Sequence, residues 1–177
     1  METFQLILLA LAVIALFSIF WSTLSLGISP VPTAPKVRRE TMAILPEDLE
    51  GEVYELGAGW GTIAWAVAKR YPKARVIAYE RSPVPFLFCK LRKVFQPRPN
   101  VELHFADLFT ANLRNAKLTL AFLWTGGMVR LGKKMEEELP SGAYVVSHTF
   151  AWRGKTPEVT RTADDLWRTK IYRYRMP

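Results

Sequence analysis

From Phe4 to Ile28 the chain is apolar on every helical face, whereas from Glu52 onward short apolar runs alternate with segments of helical periodicity. The first segment holds 25 residues and no formal charge. At about 1.5 Å per residue it reaches roughly 37 Å, more than the ~30 Å hydrocarbon core of a bilayer. A helix buried in a soluble core is rarely apolar all round for so many turns. A cleaved signal peptide is the rival reading, but Met1-Glu2-Thr3 offers no basic residue and the apolar run is too long. The pattern predicts a single-pass membrane anchor over residues 1–28. The first bases beyond it are Lys36, Arg38 and Arg39, so the positive-inside bias places the rest of the chain on the cytoplasmic side.

Ser29-Pro-Val-Pro-Thr-Ala-Pro35 cannot be helix interior, and residues 29–36 are read as a stalk. A short helix follows from Pro35 to about Leu45, with Val37, Thr41, Ile44 and Leu45 on one face. Strands are then predicted over 52–56, 75–79, 100–105, 118–124 and 143–150. Helices separate them over 61–71, from Pro83 and over 128–139. Ser82 is the expected N-cap of the helix that opens at Pro83. Its expected buried face carries Val84, Leu87, Phe88, Leu91, Val94 and Phe95. The end of the chain, 158–176, reads as an antiparallel hairpin turned at Asp164-Asp165, its bases blunting a sheet edge. Alternating strands and helices mean βαβ units, so residues 37–177 are expected to form one doubly wound α/β domain with a mostly parallel sheet.

Composition adds three points. With 177 residues and one cysteine, Cys89, there is no internal disulfide framework and room for one compact domain. Charged residues make up 23%, an ordinary globular share that argues against wholesale disorder. The residues after Pro35 hold 24 bases against 15 acids, a charge of +9 that favours a domain close to an anionic leaflet. Nucleic-acid binding would also suit that charge. The bases are scattered, however, and only the tail after Ala151 is dense, so no nucleic-acid partner is expected.

The chemistry concentrates in Glu55-Leu-Gly-Ala-Gly-Trp-Gly61, between the first predicted strand and the helix after it. Ligands of such sheets bind at the carboxyl ends of the strands, where small residues let a ligand approach the backbone and a helix N-terminus offers free N–H groups. Dinucleotide sites space their glycines as G-x-G-x-x-G. Here the third glycine comes one residue early, and Glu55 stands two residues before the first. A carboxylate at that point repels a pyrophosphate and suits the cationic amino-acid end of S-adenosylmethionine. No Gly-Lys-Ser/Thr of a P-loop follows. Glu80 ends the second strand, where an acid can accept from both ribose hydroxyls. Asp107, followed by Leu108, comes after the third strand and is placed to accept from an adenine amino group. Glu80 pairing with Arg81, and Asp107 capping the next helix, are the bland alternatives.

These residues resemble the class I S-adenosylmethionine-dependent methyltransferases, whose fold is Rossmann-like. Within them the chain resembles the membrane-anchored lysine methyltransferases related to the mitochondrial enzymes that modify the ATP synthase c subunit and the adenine nucleotide translocase. The closer likeness rests on Val31-Pro-Thr-Ala-Pro35 after one apolar helix, Tyr54 to Gly61, Glu80-Arg-Ser-Pro-Val-Pro-Phe-Leu-Phe88, Ala106-Asp-Leu-Phe109 and Gly142 to Phe150. The resemblance implies S-adenosyl-L-methionine as cofactor, bound through Glu55, Gly57, Ala58, Gly59, Gly61, Glu80, Asp107 and Leu108. It also implies a protein substrate presenting a lysine in or near the membrane. The chain departs from the family pattern at Trp60, where a second acid is usual, and at Glu55, where Asp is usual.

Methyl transfer from a sulfonium is an in-line displacement governed by positioning and desolvation, and it requires no metal. A lysine acceptor must arrive as the neutral amine, which from a pKa near 10.4 costs about 4–5 kcal/mol at neutral pH. Burial beside the sulfonium supplies much of that cost, so a dedicated base is optional. Leu123-Trp-Thr-Gly-Gly127 follows the fourth strand, where the methyl group commonly faces. The Asp/Asn-Pro-Pro-Tyr of base-amino methyltransferases is absent there. Trp124 is a candidate wall of the acceptor channel, or a plain core aromatic. His148 is a candidate for orienting or deprotonating the acceptor, weighed against a hydrogen-bonded structural histidine. His104 and Cys89 read as structural. Three other outcomes stay open: a lipid or apolar small molecule as acceptor, a cofactor-binding protein without turnover, and a nucleic-acid substrate.

Overall fold

The computed structural model describes residues 2–27 and 30–177. Met1, and Ile28 and Ser29 at the join of the apolar run and the Pro-rich stretch, lie outside the described residues. Helix α1 spans Glu2–Leu26, and Thr3–Leu24 is long and apolar enough to cross a membrane. Helix α2, Pro35–Ile44, starts at a proline, which costs nothing at the first helical position, and buries Val37, Thr41 and Ile44 as its periodicity predicts.

Among the described residues the elements that follow are β1 (Gly51–Leu56), α3 (Thr62–Arg70), β2 (Ala74–Glu80), α4 (Pro83–Phe95), β3 (Val101–Phe105), a 3-10 turn (Leu108–Thr110), β4 (Ala116–Ala121), α5 (Thr125–Glu138), β5 (Tyr144–His148), β6 (Val159–Thr162) and β7 (Lys170–Arg175). They form a seven-stranded sheet in the order β3-β2-β1-β4-β5-β7-β6. Strands β1 to β5 pair in parallel, and β7 runs antiparallel to both β5 and β6. The chain order therefore reverses between β1 and β4, which is where a ligand crevice opens in such sheets. Val53, Val76, Val101, Leu118 and Val145 are buried in the sheet, as expected of strands covered on both faces. One core cluster joins the sheet to α2, α3 and α4 through Val37, Trp65 and Cys89; the other joins it to α5 through Met128, Leu131 and Met135.

Four sequence expectations are corrected. The apolar stripe of α4 does not face the core: Leu87, Val94 and Phe95 are 69%, 73% and 76% exposed, and only Pro85 and Cys89 are buried on this helix. The inward face has to be small because α4 lies against the glycine loop; a Cβ on Gly61 would sit 3.0 Å from Cys89 Sγ. The side chain of Ser82 makes no capping bond, and its backbone N–H donates instead to Glu80 Oε1 at 2.6 Å. Strand β4 ends at Ala121 rather than Trp124, and α5 begins at Thr125 rather than Met128, taking in Gly126 and Gly127. Finally, β5 stops at His148, because Thr149 turns the chain with φ 68°, an uncommon value for a β-branched residue.

Candidate active site

A cavity of about 530 Å³ opens at the β1/β4 reversal, a size within the range of small-molecule sites. Its floor is the loop after β1. Gly57, Gly59 and Gly61 all have positive φ (92°, 53° and 68°), which side-chain-bearing residues rarely adopt, so this tight bend requires glycine. The N–H groups of Gly57 and Ala58 both donate to the Tyr79 carbonyl, pinning the bend to the end of β2. Glu80 completes the clamp: its Oε2 accepts from the Gly59 N–H at 2.6 Å while its Oε1 takes the Ser82 N–H. The pairing of Glu80 with Arg81 is not formed. Arg81 instead donates to Asp107 Oδ2 at 3.2 Å.

Glu55 is the most constrained group in the cavity. It is 6% exposed, and Oε2 is fully buried without a hydrogen-bond partner among the described residues. Burial above all, with the nearby Glu80 charge, pushes its carboxyl up to about 8 against the opposing pull of a hydrogen bond from the Ala64 backbone N–H. Buried carboxylates are ordinarily hydrogen-bonded or paired, so an unpartnered oxygen at a cavity wall calls for a cation. A carboxylate acceptor at that point fits the ammonium of S-adenosylmethionine's amino-acid end. Cys89, behind the loop, donates to the Gly59 carbonyl, and its thiol is pushed up to about 12 by burial and the two acids, which leaves it inert.

Asp107 caps the 3-10 turn through the Phe109 N–H at 3.0 Å, the bland role considered from sequence, and it also lines the cavity with Leu108 and Phe109. Arg130 lies over the Phe109 ring at 3.7 Å. On the far side stand Trp124 and His148. Trp124 is 46% exposed, so it is a cavity wall and not a core aromatic. Its ring packs on Gly126, where a Cβ would come within 2.2 Å, and on Gly27 at the end of α1. His148 is buried, stacks on Phe122 at 4.3 Å between centroids, and is held down to about 4 by desolvation. It is therefore neutral at physiological pH. His104, half-exposed on β3, stacks on Tyr79 and does not line the cavity, whereas Glu55, Gly57, Ala58, Gly59, Glu80, Asp107, Leu108, Trp124 and His148 do; Gly61 closes the bend without lining it.

The sequence gives no role to the stalk in this site. Pro30, Val31, Pro32 and Thr33 line the cavity together with Leu24 and Gly27 at the end of α1. Trp60 explains the closure: its indole N–H donates to the Pro30 carbonyl at 2.5 Å, and its ring meets Phe88 edge-on. The residue standing in place of an acid thus fastens the stalk to the glycine loop. The Gly126-Gly127 pair, a poor choice inside a helix, is the signal that α5 starts under a bulky ring.

A sheet of this order with a reversed seventh strand, and an acid–glycine bend at its switch point, define the Rossmann-like fold of class I methyltransferases. Residues 55–160 match the ANTKMT methyltransferase domain, and the chain belongs to that family. It is 28% identical over 154 residues to a protein-lysine N-methyltransferase of Saccharolobus islandicus (strain REY15A), a match spanning 81% of this chain and 91% of that protein. Among solved structures, an RNA methyltransferase from Salinibacter ruber in complex with S-adenosyl-L-homocysteine superposes with a TM-score of 0.73 at 28% identity, covering 83% of this chain and 94% of that one. A precorrin-6y C5,15-methyltransferase from Geobacter metallireducens shares the fold at 17% identity, with a TM-score of 0.63 over 81% and 88% of the two chains. The protein is an S-adenosylmethionine-dependent methyltransferase.

Proposed function

We propose that this chain is a membrane-anchored protein-lysine N-methyltransferase whose catalytic domain works on the cytoplasmic side. The observation that carries the cofactor assignment is the buried, unpartnered oxygen of Glu55 at the switch point. In this reading Glu55 receives the cofactor's ammonium, and Gly57, Ala58, Gly59 and Gly61 let the amino-acid end approach the backbone. Glu80 accepts from the ribose with lone pairs left over from its two backbone bonds, and Asp107 and Leu108 hold the adenine. Bound there, S-adenosylmethionine supplies an electrophilic methyl group and a sulfur leaving group that takes the bonding electron pair.

The protein's own part is to bring in a neutral amine and exclude water. Trp124, Phe122 and the stalk prolines wall the acceptor side with apolar surface, which disfavours a lysine ammonium beside a sulfonium. An imidazole held down to about 4 cannot keep a proton taken from lysine, so His148 serves to orient the acceptor nitrogen as a neutral partner. The proton lost from the amine leaves to solvent. The lysine acceptor is supported by the activity named for the Saccharolobus relative, and the membrane setting by α1 and the basic stalk end.

The test is to incubate the full chain and tritiated S-adenosylmethionine with membranes, their lipid extract and total RNA. Label in protein bands, with mass spectrometry locating one or more methyl groups on lysine, is the expected result. Label in the organic extract or in RNA, the latter being the substrate named for the Salinibacter structure, would overturn the lysine assignment.

A further inference from the structure

The unused feature of the fold is the outward face of α4. Leu87, Leu91, Val94 and Phe95 follow one another at helical spacing and are exposed, while the same helix turns Pro85, Cys89 and Arg92 toward the domain. Arg92 donates to the Trp60 and Gly61 carbonyls, so the helix turns its small residues and this base to the glycine loop and leaves its large apolar side chains outside. Monomeric soluble proteins rarely expose a contiguous stripe of large apolar side chains unless something covers it.

Two observations say what covers it. Helix α4 packs against α1, which among the described residues is the helix long and apolar enough to sit in lipid. Charge points the same way. Between Glu80 and Glu102 the chain carries Arg81, Lys90, Arg92, Lys93 and Arg98 and not one acid. Lys90 is exposed beside the stripe, its ammonium over the Phe86 ring, and Arg38 and Arg98 each lie close enough to Arg92 to repel its charge. Large apolar side chains on one face, bases at the flanks and no acids are the composition of helices that lie in the headgroup region of anionic membranes.

We propose that α4 is an interfacial helix: its Leu87–Leu91–Val94–Phe95 face is seated in the surface of an anionic bilayer beside the anchor. This rests on the reading of α1 as a membrane span. Because α4 also carries the back of the glycine loop, seating it fixes the cavity at a defined height over the lipid, and an acceptor lysine at that height meets the site without a search in three dimensions.

The experiment uses the full chain in vesicles of phosphatidylcholine and phosphatidylserine whose acyl chains are brominated, near the headgroup in one set and near the chain end in another. An environment-sensitive fluorophore is placed by Val94→Cys, by Glu137→Cys on the opposite layer, or by Leu11→Cys within α1; the native Cys89, buried and inert, stays unlabelled. The expected result is a blue shift and bromine quenching at positions 94 and 11, with position 137 unaffected. Quenching at 11 with position 94 in water overturns the seating of α4 while leaving the anchor intact, and hands the stripe to a protein partner. No quenching at 11 removes the anchor reading and the proposal with it. Quenching at 94 that survives Lys90→Glu with Lys93→Glu and vesicles of phosphatidylcholine alone overturns the anionic part of the assignment.

Discussion

The indole N–H of Trp60 donates to the carbonyl of Pro30, joining the glycine bend of the sheet to the Pro-rich segment that follows α1. Two segments far apart in sequence thereby share one wall of the cavity. Trp60→Phe keeps a ring for Phe88 and deletes only the donor. Calorimetry with S-adenosyl-L-homocysteine is expected to show roughly three- to tenfold weaker binding, the worth of one lost hydrogen bond. Equal affinity would show that the tie does nothing for the cofactor.

Glu80 should matter twice. Glu80→Ala leaves the Gly59 and Ser82 N–H groups without an acceptor, which costs about 1–3 kcal/mol of stability, and it removes the proposed ribose contact. Cofactor affinity is expected to drop at least about tenfold, with a lower melting temperature. Glu80→Gln keeps one acceptor oxygen and should recover part of the stability but little of the affinity. Wild-type affinity in either variant would take Glu80 out of the site.

Glu55 makes the free protein sensitive to pH. Its carboxyl is pushed up to about 8 in the folded state, above the unfolded value, so the native form binds the extra proton. Stability from this group is fully present below the unfolded pKa near 4.3 and is lost as pH rises toward 8, by at most about 1.4 kcal/mol per pH unit. Denaturant titrations between those limits should show that slope, and Glu55→Gln should abolish it. Cofactor binding should release a proton near neutral pH, detectable as a buffer-dependent heat in calorimetry.

Because His148 is held down to about 4, the pH–rate profile should lack a histidine inflection between about pH 5 and 8. His148→Asn, which keeps a polar partner, is expected to lower turnover while leaving the shape of the profile unchanged. A profile whose acid limb disappears in the variant would assign His148 the role of base.

Gly126 and Trp124 should be coupled. Gly126→Ala alone places a methyl group within 2.2 Å of the ring, so the ring or the first turn of α5 must shift, at a cost of about 1–3 kcal/mol. In a Trp124→Ala background the same change should cost nothing, or stabilise through helix propensity. Thermal melts of the four proteins measure the cycle, and additive effects would mean that the glycine is not there for the ring.

Local rules made much of the proposed cofactor side readable. The Glu55–Gly61 bend, the acid ending β2 and the Asp107 turn are each specified by a few adjacent residues, and their spacing alone rejects a pyrophosphate site. Their convergence followed from strand alternation, since parallel strands bring their carboxyl ends to one edge whatever the pairing order. The acceptor side was less legible. Trp124 and His148 were visible as candidates, but Gly27, Gly126 and the stalk prolines acquire a role only where distant segments meet a bulky ring.

What the sequence by itself determined was the alternation of elements, the long apolar N-terminal helix and the chemistry of the first loop, because periodicity and glycine spacing act over a few residues. What only the tertiary structure decided was which way each apolar stripe faces and what closes the cavity. Helical periodicity marks the stripe on α4 without saying whether protein or lipid covers it, and here the close approach to Gly61 turned the small side of the helix inward. Likewise Trp60 reads as a missing acid until the stalk carbonyl that it holds is brought within hydrogen-bond reach.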